Sequence, residues 1–268
     1  MLRTLLAVLH AAVVALDHHA NASASAVVGK LADGTDCPDP ATLDACYNNI
    51  YEQKALWGSM TLFGIQFELF PLDMIIIQEQ LYETKPALIL ETGSYKGASA
   101  MYYSMIIEHV NPACKIATVD MQYNVVPELL AGGRLEKLGS RIQFITNSSI
   151  AQSTIDTFTK LAAAAEGNVW ISLDGSHVKG VVLQELINYA PLVKVGNYVL
   201  VQDTRLGRGW HTGASNNYVK SMHSTKSGPL NAVNEFLAGA GKGKFERVKE
   251  AERLLISNSG GGWLRRVA

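Results

Sequence analysis

The stretch ALILETGSYKGAS (87–99) decides how the chain is read. ALILET (87–92) is a short apolar run with strand character, and it stops at a glycine loop. Residues 98–110 behind the loop have helical spacing. A strand–loop–helix unit aims backbone N–H groups and the positive end of a helix dipole at one spot. Gly93 allows a tight turn, and Gly97 lets the backbone approach a ligand closely. The spacing Gly-x-x-x-Gly is not the dinucleotide fingerprint Gly-x-Gly-x-x-Gly. It also lacks the Gly-Lys-Ser/Thr ending of a phosphate loop.

Outward from this unit the chain alternates. KIATVD (115–120), RIQFIT (141–146), NVWISLD (168–174) and NYVLVQD (197–203) read as strands. Residues 126–138, 150–165 and 178–190 between them read as helices. Such alternation predicts an α/β fold, a parallel sheet covered on both faces. Upstream, residues 41–56 have helical spacing, 57–71 are aromatic and irregular, and a helix over 72–84 ends at Pro86. Downstream, a helix over 229–238 precedes extended pieces at 245–249 and 252–257. A closing strand, GWLRRV (262–267), completes an antiparallel element at one sheet edge.

Composition narrows the class. The 268 residues hold 23 basic and 24 acidic side chains, for a net charge of −1. Apolar residues make up 48% and charged residues 18%, below the roughly 25% charged of an average soluble domain. A disordered chain is excluded. A nucleic-acid partner held by bulk positive charge is excluded too. Three cysteines make no disulfide scaffold and lack zinc-site spacing. Arg3, the apolar run 4–16 and the small residues ANASASA (20–26) match a secretory signal peptide over 1–26, so a lumenal or secreted location is expected. A short membrane anchor, an N-terminal helix and an organelle-targeting leader share these features. Residues 27–56 read as linker and helix, and 57–268 as the main domain. No later segment is long and apolar enough to span a membrane. Cys37 and Cys46 form either a local disulfide or two free thiols, and Cys114 reads as a small core residue. Asn21 and Asn147 head glycosylation sequons; the first leaves with the signal and the second falls in the candidate site.

Asp120 ends the second strand, where an acid in nucleoside-binding α/β folds accepts ribose hydroxyls. Together with Glu91, Gly93, Ser94, Gly97 and Ser99, it suits an adenosine ligand whose other half is positively charged. S-adenosylmethionine has that form. Ser148 and Ser149, after the third strand, are placed near the adenine.

Four blocks carry a family resemblance: FPLDMIIIQEQLYETKPALILETGSYKGAS (70–99), SLDGSHVKGVVLQELINYAPLVKVGNYVLVQDT (172–204), GPLNAVNEFLA (228–238) and GGWLRRV (261–267). From about Trp57 onward the chain resembles the cephalosporin hydroxylase / rhamnosyl O-methyltransferase family of S-adenosylmethionine-dependent methyltransferases. The resemblance implies a Rossmann-like class I methyltransferase fold, a seven-stranded sheet with an antiparallel last strand. It also implies O-methylation of a sugar, glycoconjugate or small natural product. Nothing supports a hydroxylase cofactor. Relatives hold Mg²⁺ at strand ends, which implies Asp174, Gln202 and Asp203 as ligands here. The family has Glu-Asp where this chain has Gln202-Asp203, so one negative charge is lost, and the site is either a weaker metal site or metal-free. His177, three residues after Asp174, is the candidate general base; a loop histidine that only packs is the alternative. Arg205, Arg208, Trp210 and His211 follow the fifth strand and suit a substrate pocket, and His211 and His223 are weaker base candidates. Two other functions stay open: a catalytically degenerate binding protein, and a methyltransferase for phenol or polyketide hydroxyls. The oligomeric state is open, a homo-oligomer included.

Overall fold

A computed structural model describes residues 39–122, 124–207 and 227–268. The signal-like segment 1–26, Cys37, Arg208, Trp210, His211 and His223 lie outside the described residues. The compact unit that carries the sheet is Asp44–Ala268.

Helix α1 (Pro40–Gln53) starts at Asp39, whose Oδ1 accepts the N–H groups of Ala41 and Thr42 at 3.0 and 3.1 Å. A small hairpin follows, β1 (Thr61–Leu62) with β2 (Ile65–Gln66). Phe63 and Gly64 turn it, at φ +51° and +83°. Two successive positive φ values are what a two-residue primed hairpin turn needs. Strands of two residues are too short for alternation to show, so this pair was hidden in the irregular stretch 57–71. Helix α2 (Pro71–Thr84) begins with a proline in the first turn, where no intrahelical N–H is required.

The main layer then builds in order: β3 (Leu88–Thr92), α3 (Ala98–Val110), β4 (Lys115–Asp120), α4 (Glu136–Gly139), β5 (Ile142–Thr146), α5 (Gln152–Ala164), β6 (Val169–Leu173), α6 (Lys179–Tyr189), β7 (Tyr198–Val201), α7 (Pro229–Ala238), β8 (Phe245–Arg247) and β9 (Trp263–Arg266). The strands form one seven-stranded sheet in the order β5-β4-β3-β6-β7-β9-β8. From β5 through β7 the pairs are parallel; β9 runs antiparallel to both β7 and β8. The expected mixed sheet is therefore present. β3 and β6 are buried along their whole length, as strands covered on both faces must be. Their side chains alternate between two cores. Ile89 joins Ile77, Leu81, Met101 and Trp263 on one face. Leu88 and Leu90 join Phe158, Leu186 and Phe236 on the other.

Two expected elements are corrected. The helix over 126–138 is absent. A 3₁₀ turn at Pro127–Leu129 and the short α4 replace it. Gly132 stands between them at φ +82°, and a Cβ on Gly133 would lie 2.4 Å from the Pro127 carbonyl oxygen. The extended piece over 252–257 is also absent. A 3₁₀ turn at Lys249–Glu252 leads instead into a buried loop, 257–262. Side chains rather than a neighbouring strand take its N–H groups. Asp73 Oδ2 accepts from Asn258 and Ser259, both at 3.1 Å, and Asp44 Oδ1 accepts from Ser257 at 3.3 Å. Among the described residues no helix is long and apolar enough to cross a membrane.

Asp73 is buried, and desolvation pushes its carboxyl up to about 7 against the hydrogen bonds it accepts. Removing it leaves the buried N–H of Asn258 unpaired and that of Ser259 with Ser257 Oγ alone. Asp73→Ala is expected to lower the unfolding free energy by about 1–3 kcal/mol, read from urea midpoints at constant slope. A midpoint unchanged from wild type would show that the loop does not depend on this carboxylate.

Candidate active site

The sheet order reverses between β3 and β6, so their C-terminal ends open a crevice. The two loops there touch backbone to backbone. Gly93 sits at φ +92°, and a Cβ on it would fall 2.4 Å from the Asp174 carbonyl oxygen. Thr92 Oγ1 accepts the N–H groups of Asp174 and Gly175 at 3.2 and 3.3 Å. This junction divides the crevice into two cavities. One, of about 220 Å³, is lined by Ser94, Ser99, Asp174, His177, Gln202 and Asp203, among others. The second, of about 270 Å³, is lined by Met121, Gln122, Asn147, Ser148, Ser149 and Val181, among others. Gly93, Asp120 and Gly175 border both.

The glycine loop is held by polar contacts from below. Glu91 is fully buried and accepts from Thr118 Oγ1 at 2.6 Å, and Thr118 shares a 2.7 Å hydrogen bond with Ser94 Oγ. Glu91 Oε1 has no hydrogen-bond partner. Burial pushes this carboxyl up to about 7, while the hydroxyls near it, of Ser99 first, pull it down. Glu91 lines neither cavity; it lies beneath the loop. Gly97 also lines neither. At φ +87° it opens α3, and a Cβ there would lie 2.9 Å from Leu129 Cδ1, so its glycine serves packing. Asp120 accepts the N–H of Tyr95 through Oδ2 at 2.9 Å and that of Gln122 through Oδ1 at 3.0 Å. Each oxygen keeps a second lone pair for a ligand. Tyr95 itself is held at φ +42°, a strained value for a side chain of its size.

On the β6–β7 side, ligand atoms of Asp174, His177 and Asp203 all lie within 4.8 Å of one another. His177 Nε2 is 3.4 Å from Asp203 Oδ2, and His177 Nδ1 has no hydrogen-bond partner. Asp203 adopts φ +55°. Its Oδ1 accepts from Arg205 Nη1 and Asn258 Nδ2, each at 2.5 Å. Arg205 is 4% exposed, pairs with Glu52 of α1 and lies over the Tyr51 ring at 5.6 Å. Burial works against its charge, but Asp203 and Glu52 hold its pKa above the ordinary value. The Asp174 carboxyl is pushed well above the usual carboxylate range, first by burial and then by the negative charges of Asp203, Glu91 and Glu68. Two converging carboxylates, one reluctant to ionise, form a donor set that fits a divalent cation. Gln202 turns its Nε2 to Ser172 Oγ at 2.9 Å.

Of the residues read from sequence, Ser94, Ser99, Asp120, Asp174, His177, Gln202 and Asp203 meet at the first cavity, and Ser148 and Ser149 at the second. Sequence reading missed Gln66, Glu68 and Lys96, which also line the first cavity. Gln66 links them, donating to Glu68 at 2.7 Å and accepting from Lys96 at 2.7 Å. No motif marks these positions. It also missed Asn258, which the buried loop carries to Asp203.

A seven-stranded sheet of this order, with a glycine loop after its first parallel strand and acids after the next ones, is the class I methyltransferase fold. The family model described as Rhamnosyl O-methyltransferase/CmcI matches residues 54–267, and the chain belongs to that family. It is 29% identical over 160 residues to a rhamnosyl O-methyltransferase of Mycobacterium leprae, covering 60% of this chain and 67% of that one. It is 28% identical to that of Mycobacterium tuberculosis (strain ATCC 25618 / H37Rv), covering 60% of this chain and 63% of that one. The match thus spans about two thirds of the relatives' length. A solved structure described as cmcI-D160 Mg-SAM superposes with a TM-score of 0.55 at 15% identity, over 79% of this chain and 78% of that one. That likeness supports the fold.

Two outcomes follow. Gly93→Ala forces a Cβ into the Asp174 backbone at a positive φ. It is expected to cost at least ~1–3 kcal/mol of stability and to abolish saturable S-adenosylmethionine binding in calorimetry. Retained binding would show that the two loops separate readily. The Glu91 carboxyl holds its proton up to about 7 in the folded chain, against 4.5 ordinarily. Between those values the unfolded chain has shed a proton that the folded chain keeps. The stabilisation is therefore full below 4.5 and is lost as pH rises towards 7. Glu91→Gln should flatten the fall in stability between pH 5 and 7, followed by urea unfolding; an equal slope in both proteins would contradict the assignment.

Proposed function

We propose that the chain transfers the methyl group of S-adenosylmethionine to a hydroxyl of a sugar or related natural product. The observation that carries this reading is the junction of Gly93 with Asp174–Gly175, which places an Asp120-bordered cavity beside one lined by His177, Asp174 and Asp203. The nucleoside suits the second cavity. Asp120 would accept the ribose hydroxyls, with Ser148 and Ser149 by the adenine. The methionine half suits the Ser94–Ser99 side of the first cavity.

S-adenosylmethionine supplies a methyl group on a sulfonium, an activated leaving group. The acceptor oxygen displaces it directly: the O–CH₃ bond forms, the S–CH₃ bond breaks, and the hydroxyl proton must leave. His177, which lines the first cavity, would take it. Its Nε2 lies 3.4 Å from Asp203 Oδ2 while Nδ1 is buried, so Nε2 would be the nitrogen that takes the proton, beside the carboxylate. Asp203 holds the ring and stabilises the imidazolium that forms, while Arg205 and Asn258 hold Asp203. A divalent cation at Asp174 and Asp203 would lower the hydroxyl pKa and orient the oxygen. Gln202 weakens that site by one charge relative to a carboxylate. The rhamnosyl relatives and the polar lining of the first cavity favour a sugar hydroxyl over a phenol.

The test is methyl transfer from labelled S-adenosylmethionine to methyl rhamnoside and, in parallel, to catechol. Transfer to the rhamnoside is expected, with His177→Ala lowering kcat by roughly 10²–10⁴-fold while donor binding is kept. Transfer to catechol alone would replace the sugar reading, and donor binding with no transfer to either would favour a non-catalytic binding protein.

A further inference from the structure

The first cavity has a charge pattern that the transfer step leaves unused. Among the described residues that line it, Glu68, Asp120, Asp174 and Asp203 are acids, and Lys96 is the one lysine or arginine. An anionic group entering this cavity is repelled by each acid and attracted at one place.

Lys96 is held at that place by three contacts. Its Nζ donates to Gln66 Oε1 at 2.7 Å and lies over the Tyr95 ring, 5.3 Å from the centroid. Tyr95 donates its hydroxyl to the same Gln66 oxygen at 3.2 Å. The Tyr95 N–H is in turn fixed on Asp120 at 2.9 Å. An ammonium has three N–H groups and Gln66 takes one, so two remain for a ligand. From its other end Gln66 donates Nε2 to Glu68 Oε1 at 2.7 Å. Among the described residues neither Lys96 nor Glu68 has an ion-pair partner. A neutral amide thus stands between one cation and one anion. It keeps both within reach of a single ligand and stops them from pairing with each other. The end of an α-amino acid carries the complementary pair, a carboxylate and an ammonium on one carbon. A neutral sugar hydroxyl has no use for such a pair.

We propose that Lys96 and Glu68, bridged by Gln66, form the clamp for the amino-acid end of the methyl donor, Lys96 taking the α-carboxylate and Glu68 the α-ammonium. The proposal rests on the donor assignment made above. It adds the hairpin β1–β2 side of the cavity to the glycine loop as a binding element.

The test is calorimetric binding to the full chain of S-adenosylhomocysteine and two analogues, one decarboxylated and one deaminated. None of the three carries the sulfonium, so only the amino-acid end differs. Lys96→Met keeps the apolar stem. It is expected to weaken S-adenosylhomocysteine and the deaminated analogue by at least about tenfold, the loss of one charge-assisted contact. The decarboxylated analogue should stay within about twofold. Glu68→Gln should give the crossed pattern, weakening S-adenosylhomocysteine and the decarboxylated analogue and sparing the deaminated one. Glu68 is exposed, so its loss is expected to be smaller, at least about threefold. A merely structural tether between hairpin and glycine loop would lower all three affinities alike. Equal losses across the probes, or wild-type affinity for S-adenosylhomocysteine in a folded Lys96→Met chain, overturn the proposal. If neither variant folds, a wild-type chain that binds S-adenosylhomocysteine no more tightly than both analogues overturns it instead. Failure of the wild-type chain to bind S-adenosylhomocysteine overturns the donor assignment itself, and is seen before any substitution is made.

Discussion

Everything at the site depends on how closely two backbones approach between β3 and β6. Gly93 lies so near the Asp174 carbonyl that no other residue fits without moving one strand end. Thr92 then bonds both N–H groups across the gap. The contact sits where the sheet order reverses, the one place in an open parallel sheet where successive loops diverge to opposite faces. Because the loops are joined at their base and part above it, they leave a cavity on each side. A two-part ligand, nucleoside and amino acid, matches that division, with Asp120 at the border.

A second set of contacts fixes the acid end. Asp203 adopts a backbone conformation that carries a cost for any residue with a Cβ. Its side chain is held from two directions outside the parallel sheet. Arg205 reaches it with its other nitrogens on Glu52 of α1, and Asn258 reaches it from a loop pinned by Asp73 of α2. With Oδ1 taken twice, Oδ2 is the oxygen that faces His177. The helix before the sheet and the loop before its last strand therefore both serve the site, although neither carries a reacting group. This also explains why a strand over 252–257 is not formed: the N–H groups of Arg253 and Leu255 turn back to Glu250 and Glu252, that of Ser257 goes to Asp44, and the buried loop beyond, held by Asp73, delivers Asn258.

The parallel core was legible because burial on both faces writes itself as unbroken apolar runs. KIATVD and the helices over 98–110 and 229–238 have in the structure the limits that their sequence pattern sets. The acids after the strands were legible for the same reason, since a polar residue ending an apolar run stands out. What was not legible depends on contacts distant in sequence. Glu68 and Gln66 line a cavity through a hairpin of two-residue strands. The failed helix over 126–138 has helical spacing, but its backbone is committed to a turn at Gly132–Gly133. Gly97 has the right place in the loop for ligand approach, yet its missing side chain is needed by Leu129 and Phe144.

Asp73, Glu91 and Glu185 share one physical character: each is buried, and each is pushed up to about 7 by loss of solvent. Such acids lower stability relative to apolar residues, so their distribution is informative. None is scattered through the core at random. Asp73 holds the loop that bears Asn258, Glu91 lies under the glycine loop, and Glu185 lies on α6 one turn from Val181, which lines the second cavity. Asp73 and Glu91 each underpin a different segment of the crevice, and they do so through short hydrogen-bonding groups rather than through bulk packing. Apolar contacts alone fill space but leave a loop free to slide; a buried acceptor with a directional partner does not. A direct displacement needs little from the protein beyond alignment of the acceptor oxygen with the methyl carbon. The stability given up at Asp73 and Glu91 is then the expected cost of holding loops in place at the one edge of the sheet where alignment decides the rate.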